Sequence, residues 1–513
     1  MLLRALLFLA AVSAAGAKVL KEEPGKDTKY TYKQICIDQG KLVVLDGFDC
    51  RNQVAVGRWQ NAVNASGWTF LELETIANAE PGVQAYAAGY LEGLLSKTLI
   101  GYHIHNTVEP YCKNFTGFCG KLNSFLDENQ KWIKGQLEVN RTYYQVSGLI
   151  DGYEGRPISP RVIYDLHPIH YINMNGDFYD LEKKFNKTRV PAEPDGHCSG
   201  LIKVSPGNKD LFISQVTMSG FQNMLRVLKL YKFAYDREFY PGYGTTFASY
   251  PGLMYSSDDF ALVTSGLAVI ETTISVFNTS LFDNTQPQGQ ILTWVRAIVA
   301  NQISRNAREW CEVYARYNSG TYNNQWVVLD YNAFKPGQAL PQFGLLYVLE
   351  QLPGKVIYRD MTWFLEKYSY FPSYNIPYFK AITETAGWIE QGNKLGNWYN
   401  DYQHEEFSKC NCTPPYSAEA AISARGDLNP RDGKYEFPGQ GHVNHGALDY
   451  KGTNVALATQ LRFRAWGGPT YGNVPPFKWS SFDIVVPHIG HPDEWAFLPV
   501  EQKWETAVGM RPF

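Results

Sequence analysis

Past its first seventeen residues, the 513-residue chain has no apolar run approaching the roughly 20 residues that a membrane-spanning helix needs. No transmembrane anchor is expected. It also lacks a surplus of basic residues, since 47 Lys and Arg stand against 50 Asp and Glu for a formal net charge of −3. A phosphate backbone attracts proteins through clustered positive charge, so nucleic acid is not an expected partner. The zinc-holding spacings His-Glu-X-X-His and Cys-X-X-Cys are missing too. Four histidine pairs remain, His103/His105, His167/His170, His442/His445 and His488/His491. The first lies near the end of a helical pattern that starts at Pro81, where residues two apart point to different faces. No metal or cofactor is called for. With no internal repeat and no low-complexity break, the chain reads as one continuous α/β core.

Residues 1–17 have the features of a secretory signal: Arg4, an apolar run from Ala5 to Val12, and small residues at Ala15-Gly16-Ala17. Cleavage is expected before Lys18. Six Asn-X-Ser/Thr acceptor sequons follow, at Asn64, Asn114, Asn140, Asn186, Asn278 and Asn411. These features imply a glycoprotein of the secretory pathway, lysosomal or secreted. Eight cysteines in such an oxidising compartment invite pairing. Cys112 and Cys119 flank a short segment and make the most direct disulfide, with Cys36 and Cys50 next. Cys410 and Cys412 are separated by one residue, so a bridge between them would be tight. Cys311 falls within an apolar helical pattern from Trp294 to Tyr317 and reads as a buried thiol. Cys198 is left as a thiol under this allocation.

Cys198 stands where a polar loop becomes an apolar strand. Residues 186–196 hold two prolines, a glycine and several charges, a composition that disfavours helix and strand and reads as an exposed, cleavable linker. From Cys198 to Val204 apolar residues alternate, Ser205-Pro206-Gly207-Asn208 is turn chemistry, and Leu211 to Thr217 is a second strand. Phe221, Met224, Leu225 and Leu228 then follow helical spacing, so a helix over Phe221–Tyr231 is expected to lie back on this hairpin. A thiol at the start of a strand becomes an N-terminal nucleophile if the chain is cut before it. The thiolate would attack the carbonyl of His197, and water would open the resulting thioester. Cys198 would then carry a free α-amine, whose reference pKa of about 7.7 to 8 suits it to act as base for its own side chain. An oxyanion hole must also be supplied, and asparagines in tight loops at strand ends are natural donors.

The chain resembles the phospholipase B-like family of N-terminal nucleophile hydrolases from about residue 44 onward. The likeness rests on ordered blocks that include His197-Cys198-Ser199-Gly200, Glu271-Thr272-Thr273, Gly320-Thr321-Tyr322-Asn323-Asn324-Gln325-Trp326, Ser373-Tyr374-Asn375-Ile376-Pro377 and Ser423-Ala424-Arg425-Gly426-Asp427. The resemblance implies an α+β fold, a four-layer α-β-β-α sandwich. It also implies self-cleavage between His197 and Cys198, giving fragments 18–197 and 198–513 of one fold. The substrate class it implies is a phospholipid, or another acyl ester or amide. Cys198 becomes the nucleophile and Asn375 the oxyanion amide, whereas the residues alone would make Asn375 a turn before Pro377. Asn323 and Asn324 are weaker pocket candidates in a loop entering the strand Gln325–Tyr331. Where relatives show His-X-Thr-Trp, this chain has Gln215-Val216-Thr217-Met218, so Gln215 and Met218 would reshape the pocket. The segment between Trp398 and Cys410 is shorter than in the family, leaving no counterpart for an active-site arginine. A catalytically impaired lipid- or protein-binding glycoprotein is therefore the alternative. Arg425-Gly426-Asp427 spells an adhesion tripeptide but reads as a loop salt bridge or a turn.

Overall fold

A computed structural model describes residues 29–136, 139–187, 198–257, 260–395, 412–435, 438–501 and 504. In chain order the strands are β1 (Thr31–Asp38), β2 (Lys41–Asp46), β3 (Gln53–Ala62), β4 (Trp68–Thr75), β5 (Cys198–Val204), β6 (Leu211–Ser219), β7 (Arg226–Lys232), β8 (Gly244–Ser249), β9 (Phe260–Val263) and β10 (Leu267–Thr273). There follow β11 (Asn324–Asp330), β12 (Leu346–Leu352), β13 (Lys355–Asp360), β14 (Tyr370–Ser373), β15 (Gly446–Asn454), β16 (Arg464–Gly467), β17 (Phe477–Lys478), β18 (Glu494–Trp495) and β19 (Val500–Glu501). Eleven strands form the large sheet, in the order β13-β12-β11-β10-β9-β8-β7-β4-β3-β1-β2. Its neighbours are antiparallel except β4 and β7. A parallel pair needs a long crossover, and here the intervening chain holds helices Pro81–Leu95 and Asn140–Glu154 and the hairpin headed by Cys198. A second sheet of six strands has the order β14-β5-β6-β15-β16-β19.

Two apolar cores set the layering. Helices Pro81–Leu95, Asn140–Glu154 and Thr293–Ile303 cover one face of the large sheet, their Tyr86, Leu91, Val146, Leu149 and Trp294 sharing a core with Trp326 of β11. The opposite face meets the small sheet, with Ile202, Val204, Leu211 and Ile213 packed against Leu228, Leu230, Ala268 and Ile270. Among the described residues the order is thus helix, sheet, sheet. The outer face of the small sheet is partly covered by Ala424 at Met218 and its cross-strand neighbour Ala447 and is exposed at Leu201, Phe212 and Tyr370.

The hairpin after Cys198 forms as expected, with Cys198 opposite Thr217 and Val204 opposite Leu211. The expected helix over Phe221–Tyr231 does not form. Phe221–Asn223 is a single 3-10 turn, and Arg226–Lys232 is strand β7, buried along its whole length. The charges that a helix would send to solvent are held inside by partners, Arg226 by Asp449 at 2.9 Å and Lys229 by Glu92 at 2.6 Å. A strand covered on both faces has no polar side to betray its period of two. The pattern from Trp294 to Tyr317 divides into helices Thr293–Ile303 and Ala307–Tyr314, because the Asn306 side chain caps the second by accepting from Glu309 N.

Disulfides join Cys36 to Cys50 and Cys112 to Cys119, and Cys311 is a buried thiol. Cys412 is disulfide-bonded; Cys410 lies outside the described residues. Arg425 and Asp427 form a buried ion pair at 2.7 Å around the turn Gly426–Leu428. No helix among the described residues is long and apolar enough to cross a membrane.

Candidate active site

Strand alternation directs Cys198, Gly200, Ile202 and Val204 toward the large sheet and leaves Leu201 and Lys203 outside. Gly200 permits the close approach of the two sheets beside the thiol, since a Cβ there would stand 2.7 Å from Ile270 Cδ1. The Cys198 side chain is buried, and its Sγ lies 4.0 Å from Glu271 Oε1 at the end of β10. Tyr322 reaches the same carboxylate oxygen with its hydroxyl at 3.0 Å and shares that one proton with the carbonyl of Ser257. Its ring lies against Gly176, where a Cβ would meet it at 2.8 Å. Ser257, Tyr322 and Asn375 all have left-handed backbones, at φ 64°, 49° and 70°. Such conformations are costly for side chains with a Cβ and concentrate at functional sites.

Asn375 follows β14, whose register sets Ser373 opposite Gly200. Its backbone N–H donates to Thr272 Oγ1 at 3.2 Å and one amide N–H to the carbonyl of Thr273 at 2.8 Å. Its Oδ1 is buried without a hydrogen bond. An amide nitrogen has two protons, so a second donor remains for a substrate oxygen. Asn375 is thus a turn residue as well, since asparagine tolerates the left-handed region. Glu350 fastens the chain beyond it. The carboxylate accepts from Gln325 Nε2 at 2.6 Å and from the backbone of Tyr378 and Phe379 at 2.5 and 3.0 Å. Burial pushes the carboxyl up to about 7.

The remaining candidates divide. Gln215 is buried on the inward face of β6, opposite Gly200, and donates to the carbonyl of Glu271 at 2.6 Å. Met218 follows Thr217 on the other face of the strand, in the cluster with Ala424 and Ala447, so it does not line the space around the thiol. Asn323 is committed to Asp180 Oδ2 through its backbone and amide nitrogens at 3.0 and 2.9 Å. Asn324 is buried on β11 opposite Thr273, and its amide makes no hydrogen bond. His197 and Asn411 lie outside the described residues. Asn114, Asn186 and Asn278 are exposed, whereas Asn64 and Asn140 are half-buried.

Two features were not read as site components from the sequence. Glu271 sits in a strand otherwise made of apolar and β-branched residues, and a lone carboxylate in such a run was the available signal. The other is a fully buried chain of charges behind Thr217, the residue opposite Cys198. Lys451 donates to Thr217 Oγ1 at 2.6 Å and to Asp449 Oδ1 at 2.7 Å, and Arg226 pairs with Asp449 Oδ2 at 2.9 Å. Asp449 and Lys451 share a face of β15 two residues apart, but nothing local marks that face as buried. The histidine pairs are engaged elsewhere: His167 and His170 in a helix cap, His442 with Asp483 and His445 with Glu419. Among the described residues no three metal-binding side chains converge.

A buried thiol thus heads β5 with a carboxylate beside it. The model of the Phospholipase B family matches residues 55–400 and 398–502, and the chain belongs to that family. Phospholipase B-like 2 of Caenorhabditis elegans is 65% identical, with 98% of this chain and 93% of that protein covered. Phospholipase B-like 2 of Homo sapiens is 38% identical, covering 91% of this chain and 89% of that one. Phospholipase B-like protein B of Dictyostelium discoideum is 32% identical over 86% and 84%. A solved structure of penicillin V acylase from Agrobacterium tumefaciens matches 53% of this chain and 84% of that chain, at 12% identity and a TM-score of 0.30, too low to bear on the fold.

Proposed function

We propose that this chain is an N-terminal nucleophile hydrolase of the α-β-β-α type that removes acyl groups from glycerophospholipids or cleaves a related amide. The observation that carries the reading is the buried Cys198 thiol at the first residue of β5, facing Glu271. Cleavage after His197 yields fragments 18–197 and 198–513, once a signal over 1–17 has been removed. The new α-amine takes the thiol proton, the thiolate attacks the substrate carbonyl, and the second N–H of Asn375 stabilises the oxyanion. Water then hydrolyses the acyl-enzyme. The product is a glycoprotein of the lysosome or the secreted fraction. The three exposed sequons, Asn114, Asn186 and Asn278, support glycosylation.

A second reading, a fold kept for binding, is favoured by Gln215, an amide that supplies no base and donates to the Glu271 carbonyl. One experiment separates the two. Wild type and Cys198→Ala are incubated with a panel of phospholipids and N-acyl amides, and their chains are N-terminally sequenced. The hydrolase requires a fragment starting at Cys198 and product from wild type alone. Processed wild type without turnover of any substrate would leave the binding protein.

A further inference from the structure

The α-amine that serves as base during turnover does not exist while the chain is intact. Before cleavage that nitrogen is the amide of the His197–Cys198 bond, and an amide nitrogen does not accept the thiol proton. Self-cleavage therefore needs a different base. We infer that Glu271 is this base, a catalytic residue of the maturation step; the inference rests on the N-terminal nucleophile reading above.

Four observations support it. Glu271 Oε1 is the carboxylate oxygen in contact with Sγ, at 4.0 Å. It is held in place by the Tyr322 hydroxyl at 3.0 Å and by the Glu271 backbone carbonyl accepting from Gln215 at 2.6 Å. Glu271 and Cys198 are both buried, so a proton leaving sulfur passes directly to the carboxylate. The positive φ of Tyr322 and the absence of a Cβ at Gly176 place this hydroxyl over Glu271, at a conformational cost of the kind that recurs at active sites.

The step balances as follows. Sγ–H gives its proton to Glu271 Oε1, and the thiolate attacks the carbonyl carbon of His197. The carbon–nitrogen bond breaks as the nitrogen takes the proton back from the Glu271 carboxyl. A thioester now joins the His197 carbonyl to Sγ, and the α-amine is free. Water hydrolyses the thioester, returning the thiol and leaving a carboxylate on His197.

The test follows pulse-labelled precursor of wild type, Glu271→Gln, Glu271→Asp, Tyr322→Phe and Cys198→Ala through a chase, with the fragment starting at Cys198 as readout. Loss of a positioned base slows Glu271→Gln cleavage by about 100- to 10,000-fold. Glu271→Asp retains the carboxylate and cleaves at an intermediate rate, Tyr322→Phe is slowed less than Glu271→Gln, and Cys198→Ala stays intact. Cleavage of purified precursor followed at a series of pH values gives a signal that a structural role would not move. The loss of rate toward acid pH, where a carboxylate base becomes protonated, is expected in wild type and Tyr322→Phe and is missing in Glu271→Gln. Wild-type cleavage of Glu271→Gln with Cys198→Ala uncut overturns the inference and leaves the nucleophile reading intact. Cleavage of Cys198→Ala at the same bond overturns the nucleophile reading itself. Should Glu271→Gln lose its thermal transition, Glu271→Asp and Tyr322→Phe decide, and cleavage of both at the wild-type rate overturns the inference.

Discussion

At the scale of single residues, the site couples chemistry to backbone conformations that few side chains tolerate. Asn375 is the clearest case, because its left-handed φ of 70° serves the turn while its amide is the proposed oxyanion donor. The two roles separate by substitution. In Asn375→Ala the barrier to turnover rises by about 2.7 to 4 kcal/mol for one lost donor, and a further cost of about 1 to 2 kcal/mol falls on stability because alanine is strained there. Asn375→Gly relieves the strain yet lacks the amide. It is expected to melt near wild type and to show the same loss in kcat, measured on whichever acyl substrate wild type hydrolyses. Restored activity in the glycine variant would reduce Asn375 to a turn residue. Cys198→Ser offers a parallel contrast, since a hydroxyl still attacks, more slowly, whereas the methyl of alanine cannot.

At the scale of elements, the helical layer is built on close approach. Helices Pro81–Leu95 and Asn140–Glu154 meet through Gly89 and Gly93 on one and Gly148 and Gly152 on the other. A Cβ at Gly89 would stand 1.9 Å from the carbonyl oxygen of Gln145, and one at Gly148 would stand 2.0 Å from that of Tyr86. The obstacle is backbone, so neither helix can yield by a rotamer change. Gly89→Ala is expected to destabilise by about 1 to 3 kcal/mol or more through overpacking. Gly120→Ala is the control, because its Cβ meets nothing within 4 Å and a glycine inside a helix costs about 0.5 to 1 kcal/mol relative to alanine. Urea midpoints moving in opposite directions for the two variants would establish the contact. A lowered midpoint for both would indicate that helix propensity is not what distinguishes them.

For the whole molecule, buried titratable groups set how stability depends on pH. Burial lowers His103, His170 and His491 to about 3 from an ordinary value of 6.5. Between those values the unfolded chain binds more protons than the fold, so these histidines cost stability progressively as pH falls through 6.5. Glu154 and Asp483, lowered chiefly through contact with His167 and His442 despite their desolvation, act in the same direction. Glu350 acts oppositely. Its folded value of about 7 lies above the ordinary 4.5, so the fold binds the extra proton in that window and stability from this group declines as pH rises through it. Burial also raises Asp177 and Asp330, which side with Glu350, but the three histidines act over the wider window, and the melting temperature is expected to climb from pH 4 to about 6.5 and then flatten. Calorimetry across that range checks the sign. His170→Gln, which cannot take a charge, is expected to make the climb shallower, and an unchanged slope would remove His170 from the account.

Local sequence determined the features whose physics is local. The hairpin after Cys198 follows from alternation and a Pro-Gly-Asn turn, the disulfides Cys36–Cys50 and Cys112–Cys119 from short loops, and the Arg425–Asp427 pair from a two-residue separation. The resemblance around Cys198 and Asn375 reached the family through ordered blocks. Tertiary structure alone decided what depends on partners distant in the chain. The spacing of Phe221, Met224, Leu225 and Leu228 made β7 look helical, and Arg226 and Lys229 could enter the fold as strand residues only because Asp449, 223 residues away, and Glu92, 137 residues away, pair with them. Met218 and Thr217 are neighbours in sequence, yet the pleat sends one to Ala447 and the other toward the thiol's strand partner position. Glu271 reaches Cys198 across 73 residues because two sheets meet at a glycine. Burial, which gives a carboxylate or an ammonium its significance, belongs to the packed molecule and to no single stretch of the chain.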